Sequence, residues 1–201
     1  MALRALLFIL MTGLAGTTMA AEKAANTGEK AADPVNPVVV IKTTEGDITL
    51  ELNAKKAPIT VANFLSYVDS GFYNGTIFHR VIANFMIQGG GFTTDMTEKE
   101  TAEPIVNESR NRLHNTRGTI AMARTSDPDS ATSQFFINHR SNLRLDWAPG
   151  RPGYTVFGEV TEGMKVVDFI ATAPTDKAGR FFDVPVEPIV INSIERVTSE
   201  K

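Results

Sequence analysis

From residue 38 onward, the chain shows the two-residue alternation of apolar and polar positions that is typical of β-strands. Residues 38–41 are β-branched or apolar, and residues 48–52 alternate between apolar and polar side chains. The Glu-Gly-Asp triplet at 45–47 has the chemistry of a turn, so this stretch predicts a hairpin with one buried face. Further short β-like stretches, separated by glycines, occupy residues 76–82, 84–88, 118–124, 133–138 and 154–160, and a last one carries Ile189 and Ile191.

Helical periodicity occurs twice along the chain. Pro58 fits the first turn of a helix, and apolar residues follow at the i, i+3, i+4 and i+7 positions from Val61 to Val68. Gly71 is a stop signal for this helix, and a second short helix is predicted to start near Thr161. Many short strands with two helices predict a mostly β fold, in which an antiparallel sheet or barrel is capped by helices.

The first twenty residues have a different pattern. A basic Arg4 precedes an apolar run at residues 6–11, and small residues lead up to Ala20. These are the parts of a signal peptide, because the apolar run is much shorter than the ~20 residues that span a bilayer. We therefore predict cleavage after Ala20, export to a bacterial-type periplasm, a polar disordered leader over residues 21–37 and a folded domain over residues 38–201.

Composition narrows the classes of partner. The chain has 201 residues, of which 42% are hydrophobic, enough for one domain with a sizeable core. A formal net charge of −3 indicates no basic face, so neither nucleic acid nor a membrane is expected as a partner. The absence of cysteine excludes disulfides and a thiolate nucleophile. Because no long apolar stripe is left over, we expect a soluble monomer.

One segment, FHRVIANFMIQGG at residues 78–90, carries residue types that a core does not readily accept. Arg80 and Phe85 would not share a face by simple alternation, so we expect a turn at the Ala-Asn pair between them. After that turn, Met86 and Gln88 face the same way. Arginine and glutamine are rarely buried without partners, so this wall is interpreted as a site rather than as core.

The three histidines are less informative. His79 lies beside Arg80, but adjacent strand residues point to opposite faces of a sheet. We interpret it as a structural histidine with its hydrogen bonds satisfied. His114 and His139 have no mutual spacing that indicates a metal site, so no metal is expected.

The sequence resembles the cyclophilin family of peptidyl-prolyl cis/trans isomerases. FHRVIANFMIQGGGF and SQFFIN are the family's most recognisable stretches, and GTIAMA and YTVFGEV follow its order, so that the likeness covers about residues 38–197. The resemblance implies a closed eight-stranded antiparallel β-barrel capped by two α-helices, with an active groove on its outer face. It implies an enzyme without metal or cofactor that acts on proline-containing unfolded or flexible polypeptides.

The resemblance also implies roles for individual residues. Arg80 matches the family's catalytic arginine, and Tyr154 falls where many family members have histidine and many bacterial members have tyrosine. Ala123 matches a backbone contact to the bound peptide. The walls of the family's proline pocket match Phe85, Met86, Phe136 and Leu145. The residues that hold the arginine and the substrate backbone match Gln88 and Gln134.

These roles agree with the physics of the prolyl bond. Amide resonance gives rotation a barrier of ~18–20 kcal/mol, and the proline nitrogen regains a lone pair when the amide is twisted. A fixed guanidinium at Arg80 donates to that nitrogen only in the twisted state, which is the requirement for catalysis. The alternative is a proline-peptide binding module or chaperone whose catalysis is incidental. A ligand carried inside the barrel is disfavoured, because eight strands leave an interior filled by side chains.

The chain departs from the family pattern at the rim of the expected groove. Family members that bind cyclosporin tightly have a tryptophan just before the residue that matches Leu145, whereas this chain has Arg144 there and Trp147 three positions later. We therefore expect weak cyclosporin binding with intact isomerase activity. Arg124 replaces a small or polar residue, and with Arg144 it predicts a basic rim that favours acidic residues beside the proline.

Overall fold

The computed structural model describes residues 36–197, which form a mostly β domain with two α-helices. The helices are α1 (Pro58–Asp69) and α2 (Met164–Ala171), and single 3₁₀ turns occur at Ser109–Asn111 and Leu143–Leu145. The strands are β1 (Val38–Thr43), β2 (Gly46–Leu52), β3 (Thr76–Ile77), β4 (Arg80–Ile82), β5 (Met86–Gly89), β6 (Thr119–Met122), β7 (Phe135–Asn138), β8 (Val156–Glu162), β9 (Thr175–Ala178), β10 (Phe181–Pro185) and β11 (Val190–Arg196).

Nine of these strands make one curled sheet in the order β3-β11-β1-β2-β8-β6-β7-β5-β4, and β9 pairs with β10 in a separate hairpin. The predicted closed eight-stranded barrel is wrong, because the two edge strands β3 and β4 do not pair with each other. On the edge of β3 that is not paired with β11, the amide of Ile77 donates a hydrogen bond to the carbonyl of Phe92, 2.9 Å away. The sheet is therefore an open half-barrel, although only two residues separate its edge strands in the chain.

The predicted β-stretch at 76–82 is consequently two strands on opposite edges of the sheet. At Phe78 the chain leaves β3, and its amide donates to the carbonyl of Ile189, 3.0 Å away. β4 then pairs with β5, where Arg80 lies opposite Gln88. This separation sets Arg80 at the start of an edge strand, where its side chain is about half-exposed (43%).

The core lies between the concave face of the sheet and the two helices. Phe64 of α1 is fully buried, and its ring lies 5.2 to 5.7 Å from the rings of Tyr73, Phe135 and Phe157. Aromatic contacts of this kind contribute more than their buried area alone. They fasten α1 to strands β7 and β8, whose other face carries the candidate site.

The two predicted helices are confirmed. Pro58 is in the first turn of α1, and the carboxylate of Glu108 takes the place of a local cap by accepting the amides of Ile59 and Thr60 at 3.2 and 2.8 Å. Gly71, just beyond the helix, has a positive φ of 67°. The second helix begins a little later than predicted, at Met164, because β8 continues to Glu162 before the chain turns.

The hairpin of β9 and β10 was not predicted. Its sequence alternates poorly, and the pairing register shifts between Phe181 and Val184. Gly179 occupies the turn with a positive φ of 58°, a conformation that glycine adopts without steric cost. The hairpin matters for function because residues 180–183 lie beside the candidate site.

Most of the predicted targeting region lies outside the described residues, since the signal peptide at 1–20 and the leader up to residue 35 are not covered. The last two residues assigned to the leader are bound to the sheet. The side-chain amide of Asn36 donates to Glu51 at 2.8 Å, and the carbonyl of Pro37 accepts the amide of Leu52 at 2.8 Å. Within residues 36–197, neither helix has the length and apolar character needed to cross a bilayer.

Candidate active site

A groove of about 680 Å³ lies on the outer face of the sheet. Side chains alternate across β5, β6, β7 and β8, so that Ile87, Ile137 and Phe157 enter the main core while their neighbours point outward. The outward residues form a second apolar cluster that lines or supports the groove. All nine residues predicted for the site line this groove: Arg80, Phe85, Met86, Gln88, Ala123, Gln134, Phe136, Leu145 and Tyr154.

The strand register explains how residues distant in sequence meet. Arg80 lies opposite Gln88, Gln88 lies opposite Phe136, and Phe136 lies opposite Ala121 in consecutive strand pairs. Directly opposed residues share a face of the sheet. A row therefore crosses the outer face from a cation at the edge strand, through an amide, to an apolar pocket.

The pocket is apolar and mostly covered. Phe136 and Met86 are only 4% and 2% exposed, and Phe85, Leu145 and Tyr154 pack around them. The rings of Phe136 and Tyr154 meet edge to face, with centroids 5.7 Å apart. A cavity of this kind accommodates a small apolar ring and keeps water from it.

Phe85 is held in place by its backbone. The predicted turn is confirmed at Asn84, which has a positive φ of 59° and whose amide donates to His139 Nδ1 at 3.0 Å. The carbonyl of Phe85 accepts the side-chain amide of Asn142 at 2.9 Å and the backbone amide of His139 at 3.0 Å. These bonds link the turn between β4 and β5 to the end of β7, so the pocket wall rests on two strands.

The two glutamines bond to each other rather than to the arginine. Gln88 Nε2 donates to Gln134 Oε1 at 3.0 Å, and Gln134 Nε2 reaches Glu98 at 3.4 Å. The resemblance implies that these two residues hold the arginine. Within residues 36–197, however, neither glutamine forms a direct hydrogen bond with Arg80. The carboxylate of Asp183 lies beside the Arg80 guanidinium, 3.8 Å from Nε.

Of the two arginines predicted for the rim, one lines the groove. Arg124 lines the groove, but its guanidinium donates to the carbonyls of Gly153, Pro152 and Thr125 at 3.2, 2.9 and 2.8 Å. It also lies over the ring of Tyr154, 4.4 Å from the centroid. Arg124 therefore supports the pocket wall. Arg144 does not line the groove.

Trp147 does not reach the groove either. Its ring packs under the guanidinium of Arg110, 4.8 Å from the centroid, and lines a separate hollow with Pro152. Gly153 closes the loop that carries it, because a Cβ at this position would strike the backbone of Asp146 and Trp147. The loop geometry therefore directs the tryptophan away from the pocket.

His79 is buried, with 5% of its surface exposed, but the prediction that its hydrogen bonds are all made is wrong. Nδ1 has no hydrogen-bond partner within residues 36–197, and the ring lies against Phe92 with centroids 4.6 Å apart. Burial lowers the pKa of His79 from 6.5 to about 4; a backbone hydrogen bond to Ile77 opposes this, and the charge of Arg80 adds to it. The imidazole is therefore neutral near pH 7 and also lines the groove.

The groove offers binding and electrostatics rather than covalent chemistry. No serine, threonine or cysteine is among its lining residues. Across residues 36–197, no three histidine, aspartate or glutamate side chains converge where they could hold a metal ion. What the groove can do is bind an apolar ring and present a cation with several donors to a polar group beside it.

Five groove residues were missed by the sequence analysis: Phe92 and four residues of one hairpin. Arg180, Phe181, Phe182 and Asp183 come from the β9–β10 hairpin, about a hundred positions after Arg80 in the chain. The available signal was Gly179 between two short apolar or charged stretches, which is typical of a turn. That signal predicts a hairpin, but it does not place the hairpin against the groove.

Comparisons with known proteins agree with this arrangement. The sequence profile of the family described as "Cyclophilin type peptidyl-prolyl cis-trans isomerase/CLD" matches residues 38–196. A peptidyl-prolyl cis-trans isomerase of Acinetobacter baylyi is 59% identical over 160 residues, covering 80% of this chain and 85% of the relative. Peptidyl-prolyl cis-trans isomerase B of Escherichia coli is 52% identical over 160 residues, covering 78% of this chain and 98% of the relative. A crystal structure of a Cryptosporidium parvum cyclophilin type peptidyl-prolyl cis-trans isomerase, obtained in the presence of the dipeptide Ala-Pro, is similar with a TM-score of 0.70 and 31% identity, covering 81% of this chain and 99% of that chain.

Proposed function

This chain belongs to the cyclophilin-type peptidyl-prolyl cis-trans isomerases, and we propose that it accelerates X–Pro isomerisation by stabilising the twisted amide through Arg80. The observation that carries the proposal is the row across the outer face, in which the guanidinium and the apolar pocket flank Gln88. The test is the isomerisation rate of a short X–Pro peptide with the wild-type chain and with Arg80→Ala.

The proposed chemistry needs only differential binding. In the planar ground state the proline nitrogen shares its lone pair with the carbonyl, so it accepts no hydrogen bond. In the twisted state the lone pair is localised, and a guanidinium donor binds it. The guanidinium of an arginine presents five donors in a rigid fork. It therefore stabilises the transition state more than the ground state.

The pocket contributes in a second way. Phe136 and Met86 would grip the proline ring and, with Phe85, keep water from the amide. Water hydrogen-bonds the planar carbonyl and so favours the ground state. Excluding it lets the fixed guanidinium act in a medium of lower dielectric, where a charged donor is more effective.

The substrates that suit this groove are prolines within longer polypeptides. The groove is on the outer face of the sheet and is partly open to solvent, so a polypeptide segment can reach it without its ends being threaded. One related protein was crystallised in the presence of the dipeptide Ala-Pro, and we take this as support for a proline-containing substrate. Unfolded or flexible segments fit, because their X–Pro bonds populate both isomers.

We place this activity in the periplasm, in the folding of exported proteins, and the support for this is the signal-like pattern of residues 1–20. The exported protein is expected to begin at Ala21. Intact-mass analysis of the protein from the periplasmic fraction measures this directly. Retention of residues 1–20, or recovery only from the cytoplasm, would contradict the placement.

Weak binding of cyclosporin is a further expectation. Arg144 stands at the position where tight-binding family members have tryptophan, and Trp147 lies in a separate hollow. The side chain of Arg144 does not line the groove, but the residue precedes Leu145 of the pocket wall. Arg144→Trp is therefore expected to strengthen inhibition by about tenfold or more, since a tryptophan beside the pocket would contribute a large contact area. Inhibition titrations measure this, with Arg140→Trp, at an exposed position outside the groove, as the control. Nanomolar inhibition of the wild-type chain would overturn the expectation.

A further inference from the structure

The β9–β10 hairpin is fastened to the segment that carries the proposed catalytic arginine. Phe181 of the hairpin lies on Phe92, with ring centroids 5.1 Å apart, and Phe92 lies on His79, with centroids 4.6 Å apart. His79 immediately precedes Arg80. These contacts among three rings hold the hairpin against the start of β4. A side chain on the hairpin therefore has a defined position relative to the guanidinium.

A bulge in β10 places Asp183 outside the regular pairing of β10 with β9. Phe181 pairs with Ala178 and Val184 pairs with Asp176, so β10 has one residue more than β9 between these two pairs. Asp183 adopts a positive φ of 60° within the bulge. Bulges re-aim side chains and occur often beside active sites.

The released carboxylate faces Arg80. Asp183 Oδ2 lies 3.8 Å from Arg80 Nε, and both residues line the groove. The nearest strand partner of Arg80, Gln88, gives its amide to Gln134 instead. This contact is an ion pair, longer than a hydrogen bond, and a carboxylate on the Nε side leaves the terminal Nη groups of a guanidinium free to donate in the other direction.

Resting on the proposed role of Arg80, we propose that Asp183 is a positioning residue for the isomerisation. Its carboxylate pairs with the Nε side of the guanidinium and keeps the Nη donors turned towards the prolyl amide in the pocket. The turn itself does not require a carboxylate, because asparagine and glycine also tolerate a positive φ. What aspartate adds at this position is a negative charge directed at Arg80.

Asp183→Asn tests the charge while preserving the size of the side chain and its tolerance of the left-handed backbone. We expect kcat to fall by about three- to tenfold with peptide affinity within about twofold, because misorientation of a donor affects mainly the transition state. Asp176→Asn is the matched control. It removes the same charge from an exposed position of the same hairpin that does not line the groove, and it is expected to leave kcat within about 1.5-fold.

A double-mutant cycle separates positioning from a structural role. If Asp183 acts only through Arg80, Asp183→Asn changes the residual rate of Arg80→Ala by less than about 1.5-fold. An equal loss in both backgrounds would show that the hairpin has merely been disturbed, and no loss in the wild-type background would remove the proposal. Asp183→Gly, which keeps the backbone conformation, is expected to lose as much activity as Asp183→Asn. It replaces that variant if Asp183→Asn does not fold.

The same cycle distinguishes this inference from the proposed function. If Arg80→Ala retains the wild-type rate, the role of Arg80 fails and the inference fails with it. If Arg80→Ala loses activity while Asp183→Asn behaves as the wild type, only the positioning role is wrong.

Discussion

Arg80→Ala is expected to lower kcat/KM for a short X–Pro peptide by about 100-fold or more, which corresponds to about 2.7 kcal/mol of transition-state stabilisation. The loss should lie in kcat, because the guanidinium donates to the prolyl nitrogen only when the amide is twisted. Peptide affinity should stay within about twofold, since the apolar pocket of Phe136 and Met86 is untouched. Exchange spectroscopy measures the rate, and calorimetry with the same peptide measures the affinity.

Two further variants make this result specific. Arg80→Lys keeps the charge but loses the rigid fork of donors, so most of the rate should still be lost. Arg140→Ala removes one positive charge from an exposed position outside the groove and should leave the rate unchanged. A proline-peptide binding module with incidental catalysis would behave differently: Arg80→Ala would then change rate and affinity together, or neither.

Lowering the pH from about 7.5 to about 4.5 is expected to cost the wild-type chain roughly 2 to 3 kcal/mol of unfolding free energy through His79 alone. The pKa of His79 is about 4 in the folded protein and 6.5 as a reference for the unfolded chain. Between these values the unfolded state binds a proton that the folded state does not. Stability due to this group is therefore fully present above pH 6.5 and is lost progressively as the pH falls towards 4.

Denaturant titrations of the wild type and of two variants at both pH values measure this contribution. His79→Leu and His79→Phe both remove the titrating ring, and the second keeps an aromatic side chain against Phe92. Each should lose roughly 2 to 3 kcal/mol less than the wild type over this range. Carboxylates with a lowered pKa, such as those of Asp146 and Asp168, contribute equally to all three proteins and cancel in the difference. Equal pH dependence in the wild type and both variants would contradict the prediction.

The fold was predictable as far as local pattern reaches. Alternation along residues 48–52 placed β2, and the periodicity from Val61 to Val68 gave α1. The predicted β-stretch at 84–88 is correct only from Met86, because Asn84 and Phe85 belong to the turn before β5. The prediction of a closed barrel was wrong, because closure depends on which backbone groups form hydrogen bonds with the edge of β3 that is not paired with β11. Those groups belong to Phe92 and Thr93, which no pattern within β3 reveals.

The candidate site was predictable from motifs, and its surroundings were not. All nine predicted residues line one groove, yet the roles assigned to them remain proposals. The behaviour of Trp147 and Arg144 could not be decided from spacing, because loop geometry at Gly153 directs the tryptophan to another hollow. The missing hydrogen bond at Nδ1 of His79 could not be predicted from the sequence either. Whether a buried polar atom finds a hydrogen-bond partner depends on which groups pack against it.

By itself, the sequence determined which side chains of a strand share a face, and therefore that Met86 and Gln88 would lie together on one wall apart from the core. Alternation is a local property of the backbone, so it needs no knowledge of the rest of the chain. Only the tertiary structure decided that Asp183 lies beside Arg80. That proximity depends on how a curled sheet and a stack of three rings bring together segments about a hundred residues apart, and no local pattern encodes such a distance.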